Sequence, residues 1–369
     1  MKTLSKPAVF LTFVFEYAIM NLKYHDIFLP KGGIFIMKKH HLILTAVTAL
    51  FLLTGCQTSS SEQTNPNAVE ISYPLTIRAG YSTAEDDPRG LALQIFQDTV
   101  QQKTNGDIII ELHPAGELGS DAELIEKMTK GEVDMTVSSA GNYAVYAPRI
   151  GVSALPFLFE NFESAWAFVD SDDMQEINKD LESYNMHVLS YFDNGFRCVT
   201  TSEAVGAVNS VEDMNGLNIR TPENQIVIET MKALSANPQS FPFAELKQAL
   251  ADGQFDAQEN PIPIIYNNQL YEVQKYLSVT NHSYDAMPLT IRQDIWDGLT
   301  PEYQDILSIA AEVAGKQNRI LIKNQTTDMV KRLEAEGMEI VYPDLKPFQE
   351  ATSGVKNIIY GENLPDILK

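Results

Sequence analysis

The feature that most constrains the fold is a regular alternation of strand-like and helix-like segments in the first half of the chain. Strand-like segments with alternating or β-branched apolar residues occupy residues 75–79, 108–112 and 133–137. Between them, residues 89–103 and 121–131 place apolar side chains at the spacing of one helix face. Strands joined through a helix in this way run parallel, so the sequence predicts an α/β architecture with a parallel-type sheet flanked by helices.

The same alternation restarts in the second half and ends in one long helical segment. Strands are predicted at residues 187–192, 198–201 and 217–220, and helices at residues 226–234 and 245–250. Residues 302–336 lack proline and are rich in helix formers, which predicts a helix long enough to run across two α/β units. Two such units that share crossing segments predict a two-lobe, venus-flytrap fold of the periplasmic-binding-protein type, whose cleft closes by hinge bending.

Each predicted lobe draws on two separate stretches of the chain, because the crossing segments and the long helix pass between the lobes. Lobe I is predicted to comprise residues 73–195 plus about 286–325, and lobe II residues 196–285 plus about 326–369.

The residues N-terminal to the predicted lobes are interpreted as a secretion signal followed by a flexible spacer. Met37 begins a short cationic segment, and an apolar run at residues 42–53 follows, which is shorter than the roughly 20 residues that a membrane span requires. The run ends in Leu-Thr-Gly and Cys56, which resembles a lipobox, so residues 37–55 are predicted to be a lipoprotein signal peptide and Cys56 the lipidated terminus. An ordinary signal peptide with a chance cysteine is the alternative. Residues 56–72 hold the lipidated cysteine and a polar, flexible spacer.

Residues 1–36 are not consistent with this interpretation, because a signal peptide lies at the N-terminus and these residues would precede it. A Lys-Gly-Gly sequence lies three codons before Met37 and can be encoded as a purine-rich ribosome-binding site. We therefore expect translation to start at Met37 and residues 1–36 not to be translated, with a true extension as the alternative.

The charge of the chain excludes some partners. The chain carries 49 acidic and 27 basic residues, and residues 1–55 hold two of the acidic and six of the basic ones. The remainder, with 47 acidic and 21 basic residues, has a net charge of −26 and repels phosphate backbones, so no nucleic-acid partner is expected. An anionic ligand would need a local cationic pocket.

The sequence contains two cysteines, Cys56 and Cys198. With Cys56 lipidated, Cys198 has no disulfide partner.

Common catalytic and metal-binding signatures are missing from the sequence. It contains no dinucleotide-binding glycine motif, no P-loop and no nucleophile elbow. Among the six histidines only His40 and His41 are close together, and no zinc-ligand spacing occurs. No enzymatic activity, cofactor or metal is therefore expected, although a hydrolase with paired carboxylates stays open as an alternative.

One strand end carries a candidate anion-binding residue. In residues 216–222 (Gly-Leu-Asn-Ile-Arg-Thr-Pro), Leu217 and Ile219 face one side of the predicted strand and Arg220 faces the other. Pro222 ends the strand, which places Arg220 at its carboxyl end, where open α/β sheets border their ligand crevice. The planar guanidinium pairs bidentately with carboxylates. A solvated arginine at a strand end is the alternative.

This segment resembles the G-L-K-I-R-x-P motif of the solute-binding proteins of TRAP (tripartite ATP-independent) transporters, the C4-dicarboxylate-binding or DctP family. Further blocks resemble this family in the same order along the chain, at residues 113–119, 155–159, 194–197, 243–245, 256–261 and 271–276. The similarity covers roughly residues 75–345. It implies a receptor that captures a small organic acid outside the cytoplasmic membrane and delivers it to the membrane permease subunits, and the lipobox-like sequence predicts that this receptor is anchored through Cys56.

The resemblance also implies roles for individual residues. Arg220 would grip the ligand carboxylate, Arg197 would add a second positive charge, and Asn260 would donate its amide. The other implied lining residues are Phe243, Asp121, Ser82 and Ser139. Phe243 as plain core and Asp121 as a helix cap are the structural alternatives, and Gln258, Glu259 and His282 are interpreted as scaffold.

The resemblance leaves the ligand class open. Sialic-acid-binding members carry Glu and Arg where this chain has Ser139 and Asn142, which disfavours sialic acid. A C4-dicarboxylate, favoured by family frequency, would need a second cation, for which Arg78, Arg89 and Arg149 are candidates. A sugar acid such as a uronate would need hydroxyl partners, for which Asp121, Asn142 and Glu223 are candidates. A lipoprotein hydrolase and a sensory receptor are the alternative functions.

Overall fold

The computed structural model of the chain describes residue 69 and residues 71–368. The predictions for residues 1–36, for the signal peptide at 37–55 and for lipidation of Cys56 lie outside these residues. None of the helices in the described part combines the length and the apolar character that crossing a bilayer requires.

The described residues form one mixed β-sheet. Its nine strands are β1 (Leu75–Gly80), β2 (Ile108–His113), β3 (Met135–Val137), β4 (Met186–Thr201), β5 (Asn218–Thr221), β6 (Asn237–Ser240), β7 (Ala257–Pro261), β8 (Tyr276–Arg292) and β9 (Glu339–Val341). The strand order is β2-β1-β3-β8-β4-β7-β5-β6, and β9 pairs with β8. Strand β1 is parallel to β2 and β3, and β5 is parallel to β6 and β7, as the alternating pattern predicts.

Twelve α-helices of the described part surround this sheet. They are α1 (Pro88–Lys103), α2 (Asp121–Thr129), α3 (Ala140–Tyr143), α4 (Phe162–Val169), α5 (Asp172–Asn178), α6 (Gln225–Ala233), α7 (Leu246–Ala251), α8 (Ile262–Asn267), α9 (Gln293–Gly298), α10 (Pro301–Ala335), α11 (Lys346–Thr352) and α12 (Val355–Tyr360).

Two long antiparallel strands, β4 and β8, connect the two halves of the sheet. Their pairing runs from Met186 opposite Arg292 to Thr201 opposite Tyr276, with shifts of register near residues 188, 193 and 197. The prediction of two separate strands at 187–192 and 198–201 was therefore wrong. The Asn-Gly pair between them forms an irregularity inside one strand, where Gly195 adopts a φ of +105°. The sheet is also mixed, because β8 is antiparallel to both β3 and β4.

The long helix α10 contributes to the hydrophobic cores on both sides of the crossing strands. Near its start, Leu307 and Ala311 are buried in the cluster that contains Ile77 of β1. Near its end, Leu333 is buried in the cluster that contains Cys198 of β4. The chain therefore adopts the predicted α/β two-lobe fold, with crossing strands and a helix that spans both lobes. The boundaries of the lobes stay a prediction.

Candidate ligand-binding site

A cavity of about 410 Å³ lies at the carboxyl ends of strands β1, β3, β5 and β7. This volume is in the range of pockets that hold small molecules, roughly 300–1,000 Å³. All seven residues that the family resemblance implies line it: Arg220, Arg197, Asn260, Phe243, Asp121, Ser82 and Ser139. The structure thus brings the implied site residues together, while their role in binding stays a proposal.

Neighbouring strands place the polar side chains of one wall. Arg220 lies on β5 opposite Gln258 of β7, and Asn260 of β7 lies opposite Cys198 of β4, next to Arg197. These three cavity-lining side chains therefore come from three adjacent strands, β5, β7 and β4. The sheet hydrogen bonds fix the backbone positions from which these side chains project, so no backbone ordering is needed when they contact a ligand.

Arg197 is a buried cation whose charge the protein already balances. Its Nε and Nη2 atoms donate to the two carboxylate oxygens of Glu259 at 2.5 and 2.7 Å, and its Nη1 atom donates to Asp285 at 2.6 Å. Burial alone would lower the pKa of Arg197, but Glu259 and Asp285 raise it above its ordinary value. Two carboxylates around one guanidinium leave no net positive charge for a ligand here, so Arg197 can add at most a hydrogen bond.

The carboxylate of Glu259 is held by the same group. Burial would raise the pKa of Glu259, but the charge and hydrogen bonds of Arg197, with His282 at 3.3 Å, lower it to about 2. The sequence analysis did not identify Glu259 and Asp285 as the carboxylates that balance the charge of Arg197. Glu259 stands inside a recognisable family block, whereas Asp285 has no signal of its own, because its partner Arg197 lies 88 residues away.

Arg220 is equally buried and has no carboxylate partner among the described residues. Its Nε and Nη2 atoms both donate to the backbone oxygen of Phe241, at 2.8 and 2.6 Å, and its guanidinium lies 5.9 Å from the ring centroid of Phe243. Burial lowers the pKa of Arg220 to about 10, which still leaves it charged at neutral pH. The Phe241 oxygen occupies the Nε/Nη2 edge, so the Nη1/Nη2 edge remains for a bidentate anion.

Asn260 and Phe243 complete this wall. The Asn260 amide donates to Gln258 Oε1 at 2.5 Å, and its oxygen accepts from Arg197 at 3.3 Å, so one amide hydrogen remains for a ligand. Phe243 is partly exposed and packs at the edge of the core cluster of Cys198. It therefore serves both as core packing and as an apolar wall next to Arg220.

The opposite wall begins at helix α2. Its cap is Ser120, whose side chain accepts from the Glu123 amide, while the Glu123 carboxylate accepts from the Ser120 amide. The alternative that Asp121 caps this helix was therefore wrong. Asp121 instead accepts from Arg89 Nη1 at 3.3 Å, and the same nitrogen donates to Ser82 Oγ at 3.2 Å.

The three candidates for a second cation are now distinguished by position. Arg89 lines the cavity. Arg78 pairs with Asp134, and Arg149 pairs with Asp180, and neither lines the cavity. A second cationic contact for a ligand can therefore come only from Arg89 among these three.

Helix α3 and its N-cap residue place two polar side chains at the cavity. The side chain of Ser139, at the start of α3, forms no cap hydrogen bond. Asn142 of α3 lines the cavity, and its side-chain oxygen is buried and has no hydrogen-bond partner among the described residues. An unpaired buried acceptor costs roughly 1–3 kcal/mol, so a donor supplied by a ligand would be favourable here.

No metal centre is formed by the described residues: within 71–368 no three or more His, Cys, Asp or Glu side chains lie close enough together to hold an ion. The cavity combines one uncompensated cation with neutral and acidic hydrogen-bonding groups. It is suited to bind a small anion, and the groups named above include no nucleophile paired with a base.

Known proteins that resemble this chain are solute-binding proteins, which is consistent with a cavity suited to a small anion. Residues 79–362 match the family model of DctP, bacterial extracellular solute-binding protein family 7. The chain is 32% identical over 298 residues to the 2,3-diketo-L-gulonate-binding periplasmic protein YiaO of Escherichia coli (strain K12), covering 80% of this chain and 90% of that protein.

Two solved structures share the fold at 28% identity and a TM-score of 0.76, and each comparison covers 80% of this chain and 97% of the other. One is the sugar acid binding protein DctPAm of Advenella mimigardefordensis in complex with galactonate. The other is a TRAP periplasmic solute-binding protein of a Sulfitobacter species with bound β-D-galacturonate. This chain therefore belongs to the DctP family and is an extracytoplasmic solute-binding receptor of the TRAP type.

Proposed function

We propose that this receptor captures a small hydroxylated carboxylic acid, holds its carboxylate on Arg220, and delivers it unchanged to the membrane permease subunits of a TRAP transporter. The observation that carries the proposal is the state of Arg220, a buried guanidinium with no ion pair among the described residues and one free bidentate edge. A buried charge without a counter-charge is costly, and a ligand carboxylate supplies that counter-charge when the cleft closes.

Hydroxyl groups on the ligand are supported by the opposite wall. The unpaired Asn142 oxygen needs a donor, which a hydroxyl supplies and a second carboxylate does not. Asp121 is a further acceptor on that wall. Relatives at this similarity bind sugar acids according to their descriptions, among them galactonate and β-D-galacturonate. We therefore favour an aldonate or uronate.

A C4-dicarboxylate is the second candidate, because Arg89 provides a second cation in the cavity. Asp121, which lies 3.3 Å from Arg89, already balances part of that charge. A second ligand carboxylate would meet repulsion from Asp121, which is why we rank this ligand below a hydroxylated monoacid.

A proposal for membrane attachment rests on the sequence of residues 37–68, which lie outside the described residues. We propose that Cys56 carries the lipid anchor and that residues 57–68 tether the receptor to the outer face of the cytoplasmic membrane. A Cys56→Ser variant should appear in the soluble fraction and bind its acid with unchanged affinity. Recovery of that variant in the membrane fraction would contradict the anchor.

A thermal-shift screen with aldonates, uronates, dicarboxylates, keto acids and neutral sugars tests the function. Ligand at a hundred times its Kd should add about 2.7 kcal/mol to the free energy of unfolding. We expect a shift with at least one acid, no shift with neutral sugars, and recovery of the bound acid unchanged. A shift with a neutral sugar and with no acid, or turnover of the acid, would refute the proposal.

A further inference from the structure

Arg89 is held at the start of helix α1 by the residues on either side of it. Asp87 caps the helix by accepting from the Arg89 amide at 3.0 Å, and Pro88 occupies the first helical position. At Gly90 a Cβ atom would lie 2.4 Å from the backbone oxygen of Glu85, so the first turn packs directly on the preceding loop. This packing fixes the point from which the Arg89 side chain reaches the cavity.

The hydrogen bonds of Arg89 are fewer and longer than its buried position requires. A single nitrogen, Nη1, donates to Ser82, Asp121 and the Val137 backbone oxygen, all at 3.2–3.3 Å. The Nε atom is buried without a partner, and Nη2 forms no hydrogen bond among the described residues. By contrast, Arg197 in the same cavity forms contacts of 2.5–2.7 Å with two carboxylates. Arg89 thus keeps donor capacity that its protein neighbours do not use.

We propose that Arg89 is a specificity-determining residue of the cavity, and that it acts with Asp121 as one donor–acceptor pair that binds a hydroxyl group on the chain of the acid. This inference rests on the proposed function, because it concerns the end of the ligand that lies away from Arg220.

The chemistry of the pair favours a hydroxyl over a second carboxylate. A hydroxyl accepts one hydrogen bond and donates another, so it can accept from the Arg89 guanidinium and donate to the Asp121 carboxylate at the same time. A carboxylate can only accept, and it would face the negative charge of Asp121. The pair therefore selects a polyhydroxy monoacid over the diacid of the same length.

Matched ligands and two variants test this inference by titration calorimetry. The probes are gluconate with glucarate and galactonate with galactarate, which differ only in whether the far carbon is a hydroxymethyl or a carboxylate, and glycerate as a short acid. The variants are Arg89→Gln and Asp121→Asn, and Arg149→Gln is the control, since Arg149 lies outside the cavity in an exposed pair with Asp180.

We expect the wild type to bind the better six-carbon monoacid at least tenfold more tightly than its diacid. Arg89→Gln should weaken binding of that monoacid by tenfold or more and binding of glycerate by less than threefold, because glycerate does not reach the pair. Asp121→Asn should reduce the preference for the monoacid, and Arg149→Gln should change nothing. If Arg89→Gln does not fold, as an unfolding curve will show, the Asp121→Asn result decides alone.

Two results would overturn the inference, and they separate it from the proposed function. Equal losses for the six-carbon acid and for glycerate in Arg89→Gln, or a wild type that prefers the diacid, would refute the role of Arg89 and leave the receptor function intact. A wild type that binds none of these acids, nor any acid of the thermal-shift screen, would refute both.

Discussion

The two arginines that face the cavity from strands β4 and β5, on either side of β7, have the same burial and opposite surroundings. Arg197 is 5% exposed and Arg220 is 3% exposed, so solvent access does not distinguish them. Within residues 71–368, Arg197 is bonded to two carboxylates, whereas Arg220 is bonded only to a backbone oxygen. The partners of a buried charge, and not its position in a pocket, therefore decide whether its charge is balanced within the protein or remains available to a ligand.

The largest effect on binding is expected at Arg220. Arg220→Ala should weaken binding of the preferred acid by about 2–5 kcal/mol, because the ligand carboxylate would be desolvated without its cation. Arg220→Lys should also bind poorly, since an ammonium cannot reproduce the bidentate edge. The free energy of unfolding without ligand should fall by about 1 kcal/mol or less, because the lost bonds to the Phe241 oxygen are offset by removal of a buried charge that has no counter-charge.

Calorimetric titration beside an unfolding curve checks both quantities for the Arg220 variants, with Arg149→Ala as a control outside the cavity. Binding of Arg220→Ala within threefold of wild type, or its failure to fold, would make Arg220 a structural residue.

The largest effect on stability is expected at Arg197. Arg197→Met removes the counter-charge of Glu259 and Asp285, which are both buried, and should cost about 3–5 kcal/mol of unfolding free energy. Binding should be affected less than in Arg220→Ala. Urea unfolding measures the first quantity and titration of the folded protein the second. A stable Arg197→Met protein that has lost its affinity would reverse the roles of the two arginines.

A smaller effect should appear in the pH dependence of stability. The folded-state pKa of Glu259, about 2, lies below its ordinary value of 4.5. Its stabilising contribution is therefore complete above pH 4.5 and is lost as the pH falls towards 2. Unfolding free energies measured between pH 6 and pH 2 should fall less steeply for Glu259→Gln than for wild type. Parallel curves for the two proteins would show that the pKa of Glu259 is not lowered in the folded protein, which would contradict its proposed stabilisation by Arg197.

The smallest effect concerns a close contact between Gly141 and Asn224, which belong to different predicted lobes. A Cβ atom on Gly141 of α3 would lie 1.9 Å from Asn224 Nδ2, and Asn224 is held in place because its oxygen accepts from two amides of α6. Gly141→Ala should hinder closure and weaken binding by about tenfold, or 1.4 kcal/mol. Gly354→Ala is the control, because a Cβ there meets no atom within 4 Å. Unchanged affinity in Gly141→Ala would mean that this contact does not limit closure.

Local patterns in the sequence predict the fold where neighbours along the chain decide the structure. The predicted helix at 302–336 is observed as Pro301–Ala335, and the predicted strand at 108–112 as Ile108–His113. Strands β4 and β8 were not predicted as continuous elements, since their stability comes from pairing with each other. Such long-range pairing leaves little trace in local periodicity.

For the candidate site, the sequence predicts which residues line the cavity but not how their charges are balanced. Arg220 is identifiable from strand alternation and from Pro222, and the family resemblance adds the remaining lining residues. The state of charge of each residue is not identifiable, because it depends on side chains distant in sequence. Arg197 meets Asp285 across 88 positions, and Arg89 meets Asp121 across 32. Thus the structure was needed to separate the balanced arginine from the unbalanced one.

A crystal structure of the receptor with its bound acid would show directly whether Arg220 holds the ligand carboxylate. We expect both carboxylate oxygens to lie about 2.7–2.9 Å from Nη1 and Nη2 of Arg220, the Phe241 oxygen to keep the Nε/Nη2 edge, and Arg197 to retain both of its carboxylates. A ligand carboxylate bound to Arg89 or Arg197, with Arg220 still bonded only to Phe241, would contradict it.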